Sequence, residues 1–124
     1  MNRLSEINIA GTTYPLNFSV KAAKEISERY GGLENVDKAF TGKSVDEMMN
    51  EVIWLLSVLI GQGVAYKRIV EGEEIKSITT DELEIVLGVA DLSDLKDQIM
   101  GAMLNGMDRE VEVDAKNSET TQDK

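Results

Sequence analysis

Apolar and polar positions alternate along residues 4 to 18. Ile7 and Ile9 have polar neighbours, and so do Tyr14, Leu16 and Phe18. Period-two alternation predicts two strands. Between them "AGTT" supplies a turn, with Gly11 free to take positive φ. Pro15 cannot donate to a ladder, so its strand belongs at an edge or is irregular there. A lone hairpin is not stable, so its apolar face must cover a helix.

The period then lengthens to that of a helix. Ser19 is a plausible N-cap, and Val20, Ala23, Ile26 and Tyr30 form one apolar stripe. Glu25 and Arg29 stand four apart in the favourable order. Gly31-Gly32 stops the helix, and Leu33 can fold back onto it. A short helical piece, "LENVDKAF", follows. Ser44 and Glu47 then form a capping box ahead of an apolar run. This helix, expected to reach about Ile60, has few polar positions in its second half, the pattern of a buried central helix. Trp54 is expected to anchor its packing, and Gly61 and Gly63 to end it.

Residues 64–78 fit either a helical turn to about Val70 followed by a loop, or an irregular hairpin turning at Glu71-Gly72. The helical turn is the preferred reading. Thr79 and Glu82 form a second capping box, opening a helix through Leu83, Ile85, Val86 and Val89. Asp91 or Ser93 caps the last helix, which carries Leu95, Ile99, Met103 and Leu104 and runs to about Asn105-Gly106. After Met107 the sequence turns polar and charged, which predicts a disordered acidic tail over 108–124. The expected fold is a helix-dominated α+β single domain over 1–107, with an N-terminal β-hairpin and that tail.

Composition narrows the chemistry. The 124 residues suit one domain with a modest core. Aromatic residues are 5%, so the core must rest on Leu, Ile, Val, Ala and Met. Cys and His are both absent. That removes disulfides, thiolate zinc sites, cysteine nucleophiles and the commonest general base and metal ligand. A non-enzymatic protein without cofactors is expected. The net charge of −10 disfavours contact with phosphate backbones and anionic membranes, and it favours solubility. Neither nucleic acid nor membrane is expected as a partner. The opening "MNRLSEINIAG" has no apolar run of signal-peptide length. The apolar window "VIWLLSVLIG" is shorter than the ~20 residues of a bilayer span.

Three sets of residues invite a functional reading. "LGVADLSDL", residues 87–95, resembles the phosphopantetheine-bearing stretch of acyl carrier proteins. That motif needs Ser directly after Asp, and here Leu92 separates Asp91 from Ser93. Competition between Asp91 and Ser93 for an N-cap is the better reading. Glu71, Glu73, Glu74, Asp81 and Glu82 do not have EF-hand spacing and read as a solvated acidic loop. No metal site is expected. Met100, Met103 and Met107 lie at i, i+3 and i+7, and Met48 and Met49 are adjacent. Methionine adapts to varied apolar partners, so these five are the candidate partner-binding residues. Helical spacing also suits plain core, the more common use of such a pattern.

The stretch "INIAGTTYPLNFSVKAAKEISERYGGLENV" resembles the N-terminal region of phage tail assembly chaperones from long-tailed, non-contractile phages and prophages of Gram-positive hosts. The shared features are "G-x-x-Y-P-L", "F-S-x-K-A-A-K-E-I", an aromatic-Gly-Gly stop, a capping-box helix, "G-x-G-V-A-Y-K" and a "T-x-E-L" helix. They span about residues 5 to 105. The resemblance implies no catalytic residues. It implies a protein of the host bacterial cytoplasm, absent from the mature virion, that binds the tape measure protein, keeps it soluble and helps recruit tail tube subunits. A ribosomal frameshift in this family often yields a longer form sharing the N-terminal domain. Ala115-Lys116-Asn117 can be encoded as GCA-AAA-AAC, which contains a slippery heptamer. The alternative is a small acidic adaptor or antitoxin-like regulator that folds against one protein target. An acyl-carrier-like protein is the third reading.

Overall fold

The computed structural model describes residues 4–41 and 44–107. The expected disordered tail over 108–124 lies outside the described residues.

Strands β1 (Ser5–Ile9) and β2 (Thr12–Leu16) form an antiparallel hairpin, with Ile7 opposite Tyr14 and Ile9 opposite Thr12. The turn is the two-residue Ala10-Gly11, with φ of 52° and 86°. Positive φ at both central residues matches the right-handed twist of the strands. Asn8 secures the turn by accepting from the Gly11 N–H at 3.2 Å. Pro15 is tolerated because each strand of a two-stranded sheet has an unpaired edge. Ile7, Ile9 and Leu16 are buried and Tyr14 half-buried, so one face of the hairpin enters the core.

Helix α1 (Val20–Tyr30) starts at Ser19, whose hydroxyl accepts from the Ala22 N–H at 3.0 Å. It ends at Gly31 in the left-handed conformation. Its buried residues are Ala22 and Ile26, flanked by the half-buried Ala23 and Tyr30. Val20 is 76% exposed and does not belong to the stripe expected of it. At 100° per residue it lies about 120° around the helix from Ile26. Leu33 opens the 3-10 helix α2 (Leu33–Phe40) and is 37% exposed, while Val36, Ala39 and Phe40 turn inward.

The central element is α3 (Val45–Glu71), a helix of 27 residues. Both halves of the expected Ser44–Glu47 capping box are present. Gly61 and Gly63 do not end the helix. It runs through them to a left-handed cap at Gly72, so residues 64–71 extend the same helix and 72–79 are the loop. Val52, Leu55, Leu56, Leu59 and Ile60 are buried by the elements around them. Each such side chain contributes about 1.5–3 kcal/mol through removal of apolar surface from water. By length and composition alone α3 could cross a membrane. Here its apolar centre is the core of the fold.

The chain after β2 is tied to α3 by polar contacts as well as apolar ones. The Asn17 N–H donates to the Leu59 carbonyl at 3.1 Å, and the Ser19 hydroxyl donates to Gln62 Oε1 at 2.5 Å. Helix α4 (Thr80–Val86) carries the second capping box, Thr79 with Glu82, and buries Leu83. A single 3-10 turn, α5 (Val89–Asp91), leads into α6 (Leu92–Met107). Asp91 does not cap α6; its carboxylate accepts from the Gly88 N–H at 2.8 Å and so caps α5. Ser93 already lies inside α6. Leu95, Ile99, Ala102 and Met103 form the inner face of α6. Leu104, expected on that face, is exposed. It stands about 180° around the helix from Leu95. Asn105 fastens the end of α6 to β1 by donating to the Ser5 hydroxyl at 3.2 Å.

Candidate functional site

The α4–α6 corner is too short to bury its own apolar residues. Helix α4 ends with Ile85 and Val86, ahead of Leu87 and Gly88, and Leu83 is its one buried residue. Ile85 is therefore left 80% exposed, and Val86 and Val89 are also exposed. All three were expected to lie within one helix. The helix stops too early for that, because Leu87 takes an extended conformation and Gly88 begins a new turn.

Beside this exposed edge, an open groove of about 360 Å³ separates the corner from the first half of α3. Met49 and Ile53 line the α3 side, and Leu87, Val89, Leu92 and Leu95 line the other. Asp46 and Glu84 stand at the rim, one on each wall. A second groove, of about 380 Å³, lies on the far side of Val89 and Leu92, which line both. Its other lining includes Phe40, Met48, Val52 and Lys96. The Lys96 ammonium sits 5.5 Å from the centre of the Phe40 ring, a cation–π contact.

Polar contacts brace the α3 wall of the first groove. On α3, Glu51 accepts a two-pronged contact from Arg29, Nε to Oε1 at 2.9 Å and Nη2 to Oε2 at 3.1 Å. The Tyr30 hydroxyl donates to the same Oε1 at 2.5 Å. The Arg29 guanidinium lies 4.3 Å from the centre of the Trp54 ring, and Tyr30 meets Trp54 edge-on at 6.2 Å. The Glu51 carboxylate raises the Arg29 pKa. Burial, reinforced by that carboxylate, raises the Tyr30 pKa. The expected Glu25–Arg29 pair does not form, because Glu51 and Trp54 together give the guanidinium a carboxylate in its plane and a ring over its face. At the start of α4, the Thr79 N–H donates to Glu82 at 2.9 Å and lowers the pKa of that carboxyl.

The five methionines are not brought together. Met49 lines the first groove and Met48 the second. Met103 is a core residue, 5% exposed. Met100 is half-buried against the core, and Met107 is 59% exposed at the end of α6. None of these three lines either groove. On the corner side of the first groove, the apolar residues absent from the sequence-based set are Leu87, Val89, Leu92 and Leu95. Their signal was an apolar run cut by Gly88 and Asp91, which leaves more apolar side chains than one short helix can bury.

Ser93 is exposed beside the second groove. In the acidic loop, Glu71 pairs with Lys67 at 3.1 Å and Glu82 is engaged in its cap. Among the described residues no three carboxylates gather as a metal ligand set. The arrangement offers an apolar trough between α3 and the α4–α6 corner with carboxylates in its lining, a geometry suited to holding an apolar side chain row from a partner. Comparison with protein-family models, curated proteins and solved structures gave no match to this chain.

Proposed function

We propose that the protein is a non-enzymatic tail assembly chaperone of a long-tailed phage or prophage. It binds the tape measure protein in the host cytoplasm, keeps it soluble, helps recruit tail tube subunits and leaves before the virion is complete. The observation that carries this reading is the open apolar groove, whose lining includes the exposed Val89. A soluble chain with a net charge of −10 has little reason to expose such a surface unless a partner covers it. The same charge would keep a complex with a long apolar polypeptide in solution. The order of motifs from the hairpin to the "T-x-E-L" helix adds the family resemblance.

The test is co-expression with a tape measure fragment that is insoluble when expressed alone. The fragment moves to the soluble fraction with the intact chain and stays insoluble with Val89→Asp. Solubility that is unchanged by the intact chain would overturn the proposal. The gene's 3′ end supplies a second check. A slippery heptamer at Ala115–Asn117 with an overlapping frame would encode the longer form expected as a further partner.

A further inference from the structure

The first groove differs from its neighbour in charge. Residues 44–53 carry three carboxylates and residues 79–95 carry five, and neither stretch contains a Lys or Arg. Four of these carboxylates have internal work. Glu47, Glu82 and Asp91 cap helices, and Glu51 holds Arg29 and Tyr30. Asp46 and Glu84 make no ion pair or hydrogen bond among the described residues, and they face the trough from its two walls. The second groove instead presents Lys96.

We infer that the first groove takes an amphipathic helix whose apolar stripe is flanked on both sides by Lys or Arg. Apolar side chains at i, i+3, i+4 and i+7 would enter between Met49 and Ile53 on one side and Leu87, Val89 and Leu92 on the other. The flanking cations meet Asp46 on one wall and Glu84 on the other. An acidic helix with the same apolar stripe is rejected, because its carboxylates would meet these two across a trough of low polarity. The inference rests on the holding role proposed above and names the chemistry of the segment held.

The experiment uses the full chain and a fluorescein-labelled Leu/Lys peptide of about 18 residues, long enough to hold a helix on binding. A Leu/Glu peptide with the same stripe is the comparison. Anisotropy titration gives Kd for each. The Leu/Lys peptide binds at least about ten-fold tighter than the Leu/Glu peptide. Asp46→Asn/Glu84→Gln weakens Leu/Lys binding by about ten-fold, and Val89→Ser weakens it by a similar factor. Glu28→Gln/Glu74→Gln removes the same charge from exposed sites elsewhere and changes Kd by less than about two-fold. Circular dichroism confirms that each variant is folded. Equal weakening by the two double variants, or no effect of Val89→Ser, would overturn the inference. Tape measure rescue that survives Asp46→Asn/Glu84→Gln would remove this docking chemistry and leave the chaperone reading standing. Groove-dependent peptide binding without tape measure rescue would do the reverse.

Discussion

Gly63 lies so close to the backbone of Pro15 that a Cβ at residue 63 would collide with the Pro15 carbonyl group. This contact lets α3 press against the hairpin, and it explains why a glycine is kept inside a long helix. Gly61, two residues earlier, has open space where its Cβ would be. The two glycines therefore respond oppositely to the same change. Gly63→Ala should destabilise by about 3 kcal/mol or more, since rigid backbone on both sides cannot yield. Gly61→Ala should stabilise by about 0.5–1 kcal/mol through helix propensity. Urea unfolding of the two variants checks both signs.

Arg29 and Glu51 hold α1 to the groove-bearing half of α3. A double-mutant cycle with Arg29→Ala and Glu51→Ala should return a coupling of about 1 kcal/mol. Arg29→Lys should recover little of it, because an ammonium cannot make the two-pronged contact. Trp54 is the single tryptophan, so its fluorescence reports loss of the guanidinium above its ring. An unchanged spectrum in Arg29→Ala would mean that the stacked geometry does not persist in solution.

Tyr30 has its phenol pKa raised by burial and by Glu51. The fold therefore favours the neutral phenol over what the unfolded chain would hold. That contribution is fully present below the ordinary phenol value of about 10 and is lost as pH rises through the higher folded value. The stability advantage of the natural chain over Tyr30→Phe should be constant at neutral pH and shrink in alkaline solution. Absorbance titration should show a phenolate step above the ordinary range that disappears in Tyr30→Phe.

Ala10 is the only non-glycine residue with positive φ among those described. An alanine in this conformation costs about 1 kcal/mol. Ala10→Asn should raise stability by about 0.5–1 kcal/mol, since asparagine suits the first position of such a turn. The denaturation midpoint should shift upward at constant m-value.

Met103 and Met107 separate core from surface on one helix. Met103→Ser should cost about 2–4 kcal/mol by opening a cavity and burying a hydroxyl. Met107→Ser should change stability by less than about 0.5 kcal/mol. Thermal unfolding of the pair measures the contrast.

Local chemistry was legible in the sequence wherever neighbours in the chain supply both partners. The hairpin, the Ser19 cap, the Gly31 stop and both capping boxes are such cases, because each is closed within a few residues by backbone and side chain together. The helix-dominated α+β class followed from them. Tertiary structure alone decided the rest. Gly61 and Gly63 looked like a helix end because glycine is a poor helix former, yet packing against Pro15 and the buried run before it carry the helix onward. Arg29 had a partner at helical spacing in Glu25, but a carboxylate and an indole from another helix bound it better. The groove was hidden for the same reason. Periodicity tells which residues are apolar, and only the crossing of α3 with the α4–α6 corner determines which of them are left uncovered.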